Sequence, residues 1–218
     1  TVVDIEKGAK TFHGLTIHDS HHMTGVVTVK RAFYESSNVA FAKLAYQNYS
    51  ADPMKWYNHL DRFRLTKTTG IDLVAKTGEP VIKKPGKGKW SPTTIPYMAH
   101  GYEELVSPMQ MLVLYNAVAN NGRMMKPYLV SSIQEHGIDI QKINPVVLDE
   151  KICSDETIRQ AQECLKAVVD TPGATAHKAC YNKVYSISGK TGTAVSAQDN
   201  KGYRNGKKIY QSSFIGYF

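Results

Sequence analysis

The chain has 218 residues, 42% of them hydrophobic, and carries 27 lysines and arginines against 19 acids, a formal net charge of +8. That is enough apolar material for a core, in one large domain or two small ones. No apolar run reaches the roughly 18 residues of a membrane span, no recognition helix or Cys/His finger accompanies the scattered basic residues, and Cys153, Cys164 and Cys180 form no C-x-x-C pair.

Residues 1–22 read as short strands and turns, with Phe12-His13-Gly14 as a turn signal. Val29, Ala32 and Phe33 share one face of a helix over 28–35. Ser36-Ser37-Asn38 interrupts it, because these side chains compete for helical backbone groups and favour caps. Helices are expected again over 39–48 and from Pro53 to Phe63, and 66–100 reads mostly as loop, including the basic run Lys83–Lys89. Ser107-Pro108 opens a helix whose body, Met109 to Ala119, is apolar almost all round and is therefore expected to be deeply buried. Asn120-Asn121-Gly122 closes it with a left-handed cap.

Tyr128 to Ile133 and Ile138 to Ile143 read as a hairpin. Ser154-Asp155-Glu156 starts another helix, with acids in its electropositive first turn. Ile158, Ala161, Leu165, Val168 and Val169 line its apolar face, and Thr171-Pro172-Gly173 stops it. Two strands, 183–195 and 208–218, follow, joined by a polar loop. Thr1-Val2-Val3-Asp4 starts without methionine and Ser213–Phe218 stops inside an apolar strand, so an excerpt of a longer protein is expected. Three cysteines cannot all pair internally; the residues leave any bridge open, and three separate thiols are expected.

The chemistry concentrates in two places. In Ser188-Gly189-Lys190-Thr191-Gly192-Thr193-Ala194 a cation, two glycines and two threonine hydroxyls follow the alternating run Val184–Ile187. A strand edge of this make-up can grip a carboxylate while glycine admits another backbone. A phosphate-binding loop would need glycine at 184, where Val184 stands, and a helix afterwards, where a polar Gly/Asn-rich stretch stands. A second Lys-Thr-Gly copy at 76–78 leads into a solvated loop. The other place is Ser36-Ser37-Asn38, where a hydroxyl can relay a proton and an amide can hold a carbonyl. Five adjacent residues, His18-Asp19-Ser20-His21-His22, do not converge as a triad; metal binding by His18 with His21 or His22 stays open, with no further ligand set in the sequence.

Ser36-x-Asn38 and Lys190-Thr191-Gly192 resemble the second and third signatures of the penicillin-binding transpeptidases. Thr28–Val39, Thr69–Leu73, Trp90–Thr93 and Gly101–Gln110 are similar to the linking segments of class B members, and Thr193-Ala194 matches their extension of the third motif. The resemblance implies an α/β (α+β) penicillin-binding/serine β-lactamase-like transpeptidase fold, an antiparallel sheet flanked by a helical lobe, truncated at both ends. It makes 1–218 part of a single transpeptidase domain, with the helical lobe about 23–182 and sheet strands about 183–195 and 208–218.

The activity implied is peptidoglycan D,D-transpeptidation through a serine acyl-enzyme, blocked by β-lactams and needing no cofactor. Ser36, Asn38 and Lys190 take catalytic roles in that resemblance, and Ser37, Thr191, Gly192 and Thr193 bind substrate. Stem peptide, β-lactams, divisome or elongasome proteins and a glycosyltransferase are the implied partners, with no nucleic acid. The implied location is the periplasmic face of the inner membrane, with an N-terminal anchor. Two departures stand out. No serine is followed three residues later by lysine, so the nucleophile motif S-x-x-K is absent and expected upstream of Thr1; and Glu103-Glu104 follows Gly101-Tyr102, where relatives usually keep a smaller residue first. A non-catalytic relative that binds peptidoglycan or division partners, or a serine β-lactamase or sensor of the same fold, are the alternatives.

Overall fold

The computed structural model describes residues 1–73, 79–196 and 209–218. Strands β1 (Val2–Asp4), β2 (Ala9–Phe12), β3 (Leu15–His18) and β4 (Val26–Thr28) form two small antiparallel ladders, β1 with β4 and β2 with β3. Their inward residues Val3, Phe12, Ile17 and Val27 pack with Ala32, Val39, Ala40 and Ala42 of the next two helices. This core fixes where those helices meet.

Helix α1 (Val29–Tyr34) starts on Thr28, whose Oγ1 accepts the Arg31 N–H at 3.1 Å. Helix α2 (Asn38–Tyr49) starts on Ser37, and α3 (Pro53–Arg62) follows. The stretch read as loop holds β5 (Val81–Ile82) and the buried helix α4 (Thr94–Met98), which packs on α2. Five residues are too few to display a helical period, and Pro96 hides the rest, although a proline in a first turn removes no helical hydrogen bond. Strand β6 (Glu104–Leu105) pairs with β5.

Helix α5 (Pro108–Ala119) carries a full capping box, Ser107 with Gln110. It is less buried than its composition suggests. Gln110, Val113 and Ala117 form one enclosed stripe, while Leu112 is 46% exposed. Asn121 and Gly122 take the expected positive φ, and the Gly122 N–H closes on the Ala117 carbonyl at 2.7 Å.

Strand β7 (Met124–Met125) precedes the hairpin of β8 (Ser132–Glu135) and β9 (Ile138–Lys142), and β10 (Val147–Asp149) pairs back to β7. The first hairpin strand starts later than expected, because His136 and Gly137, both at positive φ, set a two-residue turn and with it the register. Helix α6 (Asp155–Asp170) has Ser154 as N-cap and buries Ile158, Leu165, Val168 and Val169; Ala161 is only half-buried. A short helix α7 (His177–Cys180) follows.

The last ladder is the longest. Strand β11 (Ser188–Ser196) runs antiparallel to β12 (Ile209–Tyr217), from Ser188 opposite Tyr217 to Ser196 opposite Ile209. Residues 183–187, expected to begin β11, lie outside it. Asn182 Oδ1 accepts the N–H groups of Val184 and Tyr185 at 2.7 and 3.3 Å, turning the backbone away from pairing and leaving Val184 80% exposed.

Helix α6 packs on β11 and α5 on β12. The ladder is tightest at Gly189, where an added Cβ would sit 2.4 Å from Phe214 Cζ and 2.5 Å from the Ile215 carbonyl oxygen. Gly189→Ala is therefore expected to cost about 1–3 kcal/mol of unfolding free energy by overpacking, read as a lower midpoint in urea denaturation.

Candidate active site

The first half of the site is the junction between α1 and α2. The Ser37 N–H reaches the Ala32 carbonyl at 2.8 Å and the Ser36 N–H reaches the Phe33 carbonyl at 3.1 Å. This double closure is the Schellman end of a helix, and it puts its first residue beyond the cap in the left-handed region, a place glycine usually takes. Here the residue is Ser36, with φ +60°.

Ser37 then turns extended and caps α2. Its Oγ accepts the Ala40 N–H at 3.0 Å and donates to Asp19 Oδ2 at 2.8 Å. Asn38 Nδ2 donates to the His18 carbonyl at 3.0 Å.

The second half is β11, where Lys190 reaches across to the junction. Its Nζ donates to Ser36 Oγ at 2.8 Å and to the Thr191 carbonyl at 3.0 Å, and it lies 5.9 Å from the Phe33 ring centre. Burial holds the ammonium down at about 8, from an ordinary 10.5.

A chain of hydroxyls ties the same two halves on their other side. Thr191 Oγ1 donates to Thr175 Oγ1 at 3.0 Å, and Thr175 donates both Oγ1–H and N–H to the Tyr34 carbonyl, each at 3.2 Å. Thr193 lies two residues further along β11 and is exposed. A Cβ at Gly192 would meet Ser213 Oγ of β12 at 2.7 Å.

Ser36 and Lys190, 154 residues apart, are thus joined directly, with Asn38 next in the turn and Thr191 beside the lysine. Ser37 is placed differently from the substrate-contacting position expected of it. It is 1% exposed, and its hydroxyl is committed to Asp19 and to the cap of α2. Two contributors had no local signal in the sequence: Asp19, half-buried within a histidine-rich run, and Thr175, in a turn.

The Lys-Thr-Gly copy at 76–78 lies outside the described residues. Among the described residues no three His, Cys, Asp or Glu side chains are grouped to hold a metal ion. A cavity of about 650 Å³, lined by Phe41, Leu44, Trp56 and Cys164 among others, includes none of Ser36, Asn38 or Lys190.

Residues 2–218 match the family described as penicillin binding protein transpeptidase domain. The chain is 30% identical to penicillin-binding protein H of Bacillus subtilis over 224 residues, covering 93% of this chain and 30% of that protein. It is 29% identical to the peptidoglycan D,D-transpeptidase FtsI of Escherichia coli over 179 residues, covering 82% and 27%. In three dimensions it superposes on the TP domain of penicillin-binding protein 3 from Burkholderia pseudomallei with a TM-score of 0.80, at 25% identity, over 99% of this chain and 59% of that one. The chain spans less than a third of the length of these curated relatives.

Proposed function

Because the chain belongs to the penicillin-binding protein transpeptidase family, we propose that the protein containing it is a serine-type peptidoglycan D,D-transpeptidase that cross-links stem peptides and is acylated by β-lactams. The observation that carries this reading is the 2.8 Å contact of Lys190 Nζ with Ser36 Oγ across the gap between β11 and the α1–α2 junction. Residues 1–218 are read as part of a single transpeptidase domain.

In this reading a serine supplied by S-x-x-K, a motif outside this chain, attacks the peptide carbonyl between the two terminal D-alanines. Its lysine accepts the proton. The ester forms as the C–N bond breaks, and Ser36 gives its proton to the departing amine while taking up the one that lysine accepted from the nucleophile. Lys190 supports that transfer. It donates to a lone pair of the Ser36 oxygen, which directs the Ser36 O–H outward to the leaving nitrogen.

Asn38 has one N–H and its amide oxygen beyond the bond to the His18 carbonyl, and these orient the substrate amide. The Lys190 ammonium draws the terminal carboxylate. Thr193, exposed on the same strand, offers its hydroxyl to that carboxylate and its N–H to the oxyanion. Thr191 donates to Thr175, so contact with substrate through its proton requires exchanging that partner. An amine from a second strand then takes the acyl group.

A place in the cell envelope with an N-terminal anchor, and partnership with a glycosyltransferase and with divisome or elongasome proteins, belong to the same reading. The test is incubation of the full-length protein with fluorescent penicillin, followed by denaturing electrophoresis. A covalently labelled band that unlabelled penicillin abolishes is the expected result. A folded full-length protein that stays unlabelled refutes the reading.

A further inference from the structure

The run His18-Asp19-Ser20-His21-His22 finds a use outside metal binding or a triad. Its carboxylate lies against the N-terminus of α2, directly beneath the turn that carries Ser36. Asp19 Oδ2 accepts the Ser37 hydroxyl at 2.8 Å and Oδ1 accepts the Val39 N–H at 2.9 Å. Between them, Asn38 Nδ2 is held on the carbonyl of His18 at 3.0 Å. All three residues that follow Ser36 are therefore tied to His18, the last residue of β3, and to Asp19 just after it.

The tie is itself fixed. The Asp19 N–H donates to the Gly8 carbonyl at 2.9 Å, which fastens the loop to the N-terminal ladders. The first turn of α2 contains no acid of its own, so Asp19 brings the negative charge that a helix N-terminus favours. Ser36 is locked from behind by the Schellman closure on Ala32 and Phe33, and from ahead by Asp19.

We infer that Asp19 is a positioning residue for the acylation reaction: it holds the Ser36–Asn38 turn in the one geometry that keeps the Ser36 hydroxyl on Lys190 and the Asn38 amide beside it. This rests on the function proposed above. Without the carboxylate the turn keeps its closure on α1 and the Asn38 bond to the His18 carbonyl but loses the other two ties, those of Ser37 and Val39. A displacement of about 1 Å in a reacting group costs on the order of 10² in rate.

The test uses the full-length protein and a chromogenic β-lactam, with acylation resolved into the affinity of the pre-covalent complex and the acylation rate at saturation. Asp19→Ala is expected to lower the saturated rate by about 10-fold to 100-fold, with the pre-covalent affinity little changed. Asp19→Asn, which keeps one acceptor oxygen, should fall between Asp19→Ala and wild type.

Asp72 is the control, since its carboxylate also accepts two hydrogen bonds, here both from backbone N–H groups, of Leu129 and Val130, away from the turn. Asp72→Ala should lose thermal stability and keep its acylation rate. The inference is overturned if Asp19→Ala, folded at the assay temperature, acylates at the wild-type rate, or if Asp72→Ala slows as much. Should Asp19→Ala not fold, Asp19→Asn and Ser37→Ala decide: a reduced saturated rate in either supports the inference, and wild-type rates in both refute it. An unreactive wild-type protein would refute the underlying function instead.

Discussion

Replacing Lys190 with methionine in the full-length protein is expected to lower β-lactam acylation on the order of 10²–10³-fold and to leave the fold close to wild-type stability at neutral pH. The lysine makes a direct bond between β11 and the Ser36 turn, and in the proposed reaction it both supports proton transfer by Ser36 and attracts the substrate carboxylate. Methionine keeps the length and apolar stem but neither the charge nor the donors.

The stability side follows from burial. The folded ammonium titrates at about 8, against an ordinary 10.5, so from pH 8 to 10.5 the unfolded chain binds more protons than the folded one. Stability attributable to this group therefore rises with pH across that window, and below it the buried charge is a net cost. A fall from 10.5 to about 8 corresponds to roughly 3 kcal/mol, offset in the variant by the loss of bonds to Ser36 and Thr191 worth about 1.5–3 kcal/mol each at most.

Melting temperatures near pH 7 should accordingly be equal to wild type or somewhat lower for Lys190→Met, falling further behind above pH 8 as the folded lysine loses its charge. Wild-type acylation should decline as pH rises through about 8 and the ammonium is lost. A variant that melts far below wild type would make Lys190 a structural strut, and one that acylates normally would remove it from the reaction.

The contact at the heart of this prediction was legible in the sequence because two short motifs carry it: Ser36-x-Asn38 at a helix break and Lys190-Thr191-Gly192 on a glycine-interrupted strand. Their helices were legible too, since α2 and α6 have caps and apolar faces that period and composition reveal. What could not be read was which side of each motif faces inward. Ser37 looks like its neighbours, yet the N-cap geometry turns its hydroxyl into the core towards Asp19, 18 residues earlier.

Thr175 meets Thr191 and the Tyr34 carbonyl through bonds that span 16 and 141 residues, so no local pattern announces it. The strand before Lys190 failed for the opposite reason. Val184–Ile187 alternates correctly, but the Asn182 side chain captures its backbone N–H groups first. Local alternation records a preference for pairing, and a neighbouring acceptor decides whether the donors remain to be paired.

Ser36→Ala and Ser36→Gly should be equally poor in acylation, each down on the order of 10²–10⁴-fold as the proton-transferring hydroxyl is lost, and yet differ in stability. Both remove the Lys190 contact, so that loss cancels between them. What separates them is φ +60° at position 36. A left-handed conformation costs a residue with a Cβ roughly 1–2 kcal/mol that glycine does not incur, and glycine gives back about 0.5–1 kcal/mol through its looser unfolded chain.

Ser36→Gly should therefore be the more stable of the two by about 1 kcal/mol, measured as a higher midpoint in chemical denaturation with an unchanged slope. Equal midpoints would show that the Schellman closure relaxes to accept a side chain. That would remove the strain from the account, although the hydroxyl's role in proton transfer would still rest on the acylation rates. If the midpoints separate, the hydroxyl sits where folding alone would favour glycine, and the pull of Lys190 together with the Asp19 clamp on the residues after it is what holds it there against that preference.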